Sequence, residues 1–249
     1  MRKQRTKKEV VLPRVSVPKS YDVLAAKLRE TILDGGIAEG ESLPTERELV
    51  TQTGLSRGSV REALRMLAVE GLVRPKHGRL GGNIVSLPGN EAMGHFVGQF
   101  IRGRRLSLRT VQETRETIEP TIARFAAERR SAADIAKLKM LNQDLTAAVN
   151  DRMQFAAVNV EWHNTVGAAS RNDLLAAFLF SMSFGVAIST TADEYDTMEV
   201  RKAAILAHTK IIEAIEAQNP DLAHRRMEQH VRATRAVTSA REHTELKLK

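Results

Sequence analysis

The chain has 249 residues, 42% of them hydrophobic, and a net charge of +8. It contains no cysteine, which excludes a disulfide framework and a thiolate metal site. No apolar run approaches the about 20 residues of a membrane span, and the basic start MRKQRTKKEVVLPRV lacks the apolar core of a secretory signal. A cytoplasmic chain with no membrane partner is therefore expected.

Residues 1–19 read as a flexible basic arm, because Pro13 and Pro18 interrupt any helix and the apolar residues follow no period. From Tyr21 a helical pattern begins, with Val23, Leu24, Leu28, Ile32 and Leu33 on its apolar positions. Gly35 and Gly36 supply its stop. In LPTERELV, Thr45 and Glu48 form a capping box with Pro44 just ahead, which predicts a short helix ending near Gly54. Ser56 then reads as the N-cap of a helix from Arg57 to about Gly71. The stretch LVRPKHGRLGGNIVSL is two short extended runs around a glycine-rich tip, Gly78 to Gly82, and predicts a β-hairpin.

LPGNE, Leu87 to Glu91, is the expected domain boundary. Beyond it almost no strand-like alternation is present. Helices are expected near 92–103, 107–130, 132–149, 152–169, 172–190, 198–218 and 220–243, with Pro220 in the first turn of the last. The predicted organisation is an arm (1–19), a winged helix-turn-helix (20–86), a linker (87–91), an all-helical domain (92–243) and a tail (244–249). The fold class is mainly α: a small N-terminal head with one β-hairpin, then an antiparallel helical bundle.

Charge is unevenly spread. About +6 of the net charge lies in residues 1–86, so this part should meet a polyanion, nucleic acid first. Arg57, Arg61 and Arg65 recur every four residues beside the apolar set Val60, Ala63, Leu64 and Leu67. In a winged helix-turn-helix the second helix of the motif enters the major groove and meets base edges near its N-terminus. Arg57 and Arg61 sit there, and arginine can bond guanine bidentately. Gly58 allows close backbone approach, Ser56 and Ser59 can reach phosphates, and Lys76, His77 and Arg79 lie on the wing. The plainer alternative is a solvated basic helix whose charges are balanced by Glu62 and Glu70.

SLPTERELVTQTGLSRGSVREALRMLAVEGLV closely resembles the DNA-binding domain of GntR-type bacterial transcription regulators, over about residues 20–86. The resemblance implies that Arg47, Arg57 and Arg61 contact DNA, with Ser56, Gly58 and Ser59 at the helix start and His77, Gly78 and Arg79 near the wing tip.

In the second part, Asn159 and His163 are four apart and share a helical face. His208 lies in the apolar ILAHTKIIEAI and His230 in RRMEQHVRAT. Converging from three helices, these side chains would make a nitrogen and oxygen metal site; taken singly, such a histidine is more often a packed or surface residue than a ligand. Arg115 and Glu119, also four apart, could form an internal pair, and Phe155 and Trp162 read as core.

The region from about Val111 to Arg241 resembles the FCD effector domain of the FadR subfamily of GntR regulators, through ETRETIEPTIARFAAER, the N-x-x-x-H pair, AHTKIIEAI and the late histidine. The resemblance implies a divalent metal, zinc or nickel, on Asn159, His163, His208 and His230, and an effector cavity at Arg115. Asn159 stands where aspartate is commoner, and SRNDLL departs from the usual SGNPLL.

Together these imply a homodimeric, ligand-responsive regulator, expected to repress, that binds a near-palindromic operator and responds to a small organic acid or sugar acid. Two rivals differ in class. One is an architectural DNA-binding dimer with only a structural metal. The other is a metal-dependent hydrolase, disfavoured because no H-E-x-x-H motif is present and Glu161 lies on a different face from Asn159 and His163.

Overall fold

The computed structural model describes residues 18–76, 82–183 and 197–238. The chain divides between Pro88 and Gly89 into two compact units.

The first unit runs α1 (Ser20–Leu33), α2 (Glu46–Thr53), α3 (Arg57–Val69), β1 (Val73–Pro75) and β2 (Asn83–Val85). The predicted caps are formed. Thr45 Oγ1 accepts from the Glu48 N–H at 3.3 Å, and Glu48 Oε2 accepts from the Thr45 N–H at 2.7 Å. Gly54, at φ 68°, closes α2 in the left-handed conformation that glycine adopts at little cost. Ser56 Oγ accepts from the Ser59 N–H at 3.1 Å and starts α3. Leu24, Leu28 and Ile32 of α1 and Val60, Leu64 and Leu67 of α3 then bury one shared core with Leu43, Leu49, Leu72, Val73 and Val85. Arg29 grips Glu70 with two parallel bonds, Nε to Oε2 at 2.7 Å and Nη2 to Oε1 at 2.5 Å, and so ties α1 to α3.

β1 and β2 pair antiparallel, with Val73 opposite Val85 and Pro75 opposite Asn83. One pairing lies beyond the predicted hairpin. Gly40 donates to Val85 O at 2.9 Å, Val85 to Glu41 O at 2.8 Å and Leu43 to Asn83 O at 2.9 Å. The segment between α1 and α2, read from sequence only as a helix stop at Gly35 and Gly36, therefore edges the hairpin with a Ser42–Ile84 bridge. The wing-tip residues His77, Gly78 and Arg79 fall outside the described residues.

The second unit contains α4 (Asn90–Gly103), α5 (Leu108–Arg129), α6 (Ala132–Ala147), α7 (Arg152–Ala169), α8 (Asp173–Ser181), α9 (Met198–Glu216) and α10 (Pro220–Thr238). The helix expected over 172–190 ends as α8 at Ser181, and part of that range lies outside the described residues. Ser107, Ser131, Asp151, Asn172 and Thr197 cap α5 to α9 in turn. Helix α5 lies along α10 and also touches α7, α8 and α9, while α6 packs on α7 and α9. Its inward stripe changes character partway. Ile122, Ala123, Ala126 and Ala127 join a core with Leu138, Leu145, Phe155, Val166, Leu179, Ile211, Ile215 and Met227. One turn earlier the same stripe is polar: Gln112, Arg115 and Glu119 are each 1% exposed.

The unusual SRNDLL turn is accommodated by its own side chains. Arg171 takes a left-handed φ of 50°, a conformation costing a non-glycine residue roughly 1–2 kcal/mol. Its Nη2 donates to Asp134 Oδ2 at 2.5 Å and its Nη1 to Ala168 O at 2.8 Å, which offsets that cost. Asn172 Oδ1 then accepts from the Leu175 N–H at 3.1 Å and starts α8.

Candidate metal centre and DNA-binding face

Three helices deliver the three histidines to one point. His163 comes from α7, His208 from α9 and His230 from α10, all buried, and one ring nitrogen of each lies within 4.8 Å of the others. His208 Nε2 is 3.1 Å from His230 Nε2, which is 3.4 Å from His163 Nε2. A tetrahedral ion with bonds of about 2.0–2.1 Å places its ligands roughly 3.3 Å apart, so these spacings suit a small cation. Asn159, 7% exposed, stands one turn before His163 on the same face of α7.

The electrostatics favour the same use. Burial pushes the His208 imidazole well below its ordinary range, and His230, His163 and Arg115 add to that. Burial likewise lowers His230, to about 3, with His163 next in weight. Both rings are therefore neutral at pH 7 and carry the lone pairs that a metal needs. One shared N–H can serve only one of the two Nε2 contacts, whereas a cation would satisfy all three nitrogens.

Glu119 stands behind this group, and its role was not visible in the sequence. Its Oε2 accepts from His163 Nδ1 at 2.6 Å and its Oε1 from Arg115 Nε at 2.5 Å. Burial alone would raise its pKa, but the charges of Arg115 and His163 outweigh that and hold it well below the usual carboxylate range. An ionised carboxylate only accepts, so the Nδ1 proton of His163 faces Glu119 and Nε2 is the nitrogen that faces His230. The Arg115–Glu119 pair considered from sequence is thus formed, and it is wired to the histidines. Trp162 is core at 0% exposure, as expected, but it also stacks flat on His208, with ring centroids 3.7 Å apart and planes 4° apart. It holds that ring in place.

On α3 of the first unit, Arg57, Arg61 and Arg65 are all exposed, as is Arg47 on α2. Glu70 is taken by Arg29, and Arg61 Nε donates to Glu46 Oε2 at 2.8 Å. A methyl group built on Gly58 would meet only Ser56 Oγ, at 3.8 Å, so internal packing does not demand glycine there. Ser59 Oγ is already engaged by Ser20 and Ser56.

Comparison with known proteins agrees with both halves. Residues 20–79 match the profile of the gntR family of bacterial regulatory proteins, and residues 110–233 match the FCD domain. The Uxu operon regulator of Haemophilus influenzae is 30% identical over 224 residues, 86% of this chain and 80% of that protein. The transcriptional repressor NanR of Citrobacter rodentium is 26% identical over 226 residues, 89% of this chain and 86% of that one. Among solved structures, a GntR protein of Streptococcus agalactiae shares the fold at a TM-score of 0.67 and 24% identity, covering 87% of this chain and 99% of its own. These families and relatives are transcription regulators, not enzymes. No helix among the described residues is long and apolar enough to cross a membrane.

Proposed function

Because the chain belongs to the GntR family of bacterial DNA-binding transcription regulators and carries an FCD effector domain, we propose that it is a homodimeric repressor of a near-palindromic operator, released by a small organic acid or sugar acid. The repressive sign follows that of the similar NanR repressors.

The convergence of His163, His208 and His230 carries the reading of the bundle. Together with the Asn159 side-chain oxygen they would hold a divalent ion, and zinc and nickel both suit such a set. When bound, the ion supplies a Lewis-acidic anchor for a carboxylate. Asn159 brings no negative charge, so an acid ligand completes the balance that an aspartate would have supplied. Arg115 clamps the same acid, since a guanidinium meets a carboxylate with two parallel bonds. Glu119 fixes both Arg115 and His163, so ligand and ion are felt by one carboxylate.

At the DNA, Arg57 and Arg61 read base edges and Arg47 supports them. The start of α3 at Ser56, Gly58 and Ser59 lies close to phosphate, and His77, Gly78 and Arg79 carry the wing contact. A coupling of ~1–3 kcal/mol between ligand and operator gives a 5–150-fold change in affinity.

The test joins footprinting to elemental analysis. The purified protein should protect a discrete near-palindrome, lose that protection with one member of an acid panel, and hold about one divalent ion per chain. Protection without sequence preference, indifferent to every acid and steeply salt-dependent, would instead identify an architectural DNA binder.

A further inference from the structure

Gln112 is neither a candidate ligand of the ion nor a partner of the histidines. It lies on α5 one turn before Arg115 and is 1% exposed. Arg115 Nη1 donates to its Oε1 at 3.3 Å. A guanidinium offers no acceptor, so that contact fixes the amide: carbonyl toward Arg115, NH2 away from it. The NH2 has no hydrogen-bond partner among the described residues. On Arg115, Nε is spent on Glu119 and one Nη1 proton on Gln112, which leaves three of the five guanidinium N–H groups. Glu119 divides its two oxygens between Arg115 Nε and His163 Nδ1 and makes no second hydrogen bond to the guanidinium among the described residues.

The buried stripe of α5 therefore carries a surplus of donors. A ligand that fits it must be built of acceptors, and they must be adjacent. A carboxylate meets the guanidinium, and the next acceptor along the ligand meets the Gln112 NH2. We propose that Gln112 is a specificity-determining residue: its NH2 donates to an oxygen on the carbon next to the carboxylate, so the site selects 2-hydroxy or 2-oxo acids over plain carboxylic acids. This rests on the reading that Arg115 clamps a carboxylate. A site built around a donor rejects the analogue that lacks the matching acceptor, because the donor is then left buried and unpaired.

The test uses the full-length, metal-replete protein and two pairs of acids that differ only in the 2-hydroxyl: gluconate with 2-deoxygluconate, and malate with succinate. Calorimetric titration of the wild type should favour the hydroxylated member of at least one pair by roughly tenfold, the effect of one hydrogen bond. Gln112→Met, similar in size but without donors, should bind both members within about twofold. Without ligand it should keep the helical circular-dichroism spectrum of the wild type; its melting temperature does not discriminate, because the change removes an unpaired NH2 and also the acceptor of Arg115 Nη1. A purely structural glutamine would leave the preference intact in that folded variant, which overturns the proposal. If wild type binds both members equally and Arg115→Lys loses both, the inference fails while the carboxylate reading stands. If the wild type binds neither pair but takes inorganic phosphate, or binds none of the probes, the carboxylate reading itself falls.

Discussion

Replacing Glu119 by glutamine tests the wiring of the bundle most directly. The change removes one charge and keeps the shape. Glu119 is 1% exposed and accepts from Arg115 at 2.5 Å and His163 at 2.6 Å. An amide has one acceptor where the carboxylate has two. If its oxygen faces Arg115, its NH2 confronts His163 Nδ1, donor against donor. His163 escapes by moving its proton to Nε2, the nitrogen that faces His230 at 3.4 Å. The metal site then loses a lone pair and Arg115 loses its counter-charge. Removing a partner that orients a ligating histidine costs typically 10–100-fold in metal affinity. Breaking a buried pair costs about 3–5 kcal/mol. For a unit of this size that lowers the melting temperature by roughly 6–20 °C. Chelator competition measures the first effect and calorimetric melting, with and without metal, the second. A variant with metal affinity within twofold of wild type, melting within a degree or two of it, would refute the argument.

The remaining expectations are simpler. Arg57→Ala and Arg61→Ala should each weaken operator binding by about 1–3 kcal/mol per lost base contact; equal weakening on random DNA, measured by fluorescence anisotropy, would deny them base reading. Glu46→Ala frees Arg61 from its 2.8 Å partner and should shift base preference more than total affinity, read by binding-site selection. His208→Ala should strip the ion from purified protein, and elemental analysis showing unchanged content would remove His208 from the site. Glu70→Gln should cost the first unit about 0.5–1 kcal/mol at pH 7, a modest figure because both partners are about a third exposed. The hydrogen bond from Arg29 lowers the Glu70 carboxyl in the folded state, so this stabilisation is present above the ordinary carboxylate range and is lost as pH falls through the folded value. Denaturant melts of wild type and variant should therefore differ at neutral pH and converge at acid pH.

What the sequence made legible were features with a local grammar. The Thr45–Glu48 box, the Ser56 cap and the 3.6-residue period of α3 concern residues within a turn of one another, and each lies where expected. The histidines were singled out by the Asn159–His163 spacing, the apolar setting of His208 and the resemblance to the FCD domain, and the structure brings the three rings together. Three things were hidden for equally physical causes. Gly40 to Leu43 is too short to show an alternating pattern, and its partner strand lies more than forty residues on. Gln112 looks like any polar helical residue until burial is known, although its spacing before Arg115, Glu119 and Ile122 continues the inward stripe. Trp162 was assigned to the core correctly, but a sequence does not say which ring an indole lies against.

Both oxygens of Glu119 are committed, one to each neighbour. Such a group behaves like the beam of a balance: a shift at one pan is felt at the other. In the proposed bundle a cation drawing on His163 and an acid drawing on Arg115 would each alter the grip of the other, and linkage makes the two effects equal in size. A cell short of the metal would then read as a cell short of the metabolite, and the regulator would answer to the conjunction of two supplies instead of to either alone.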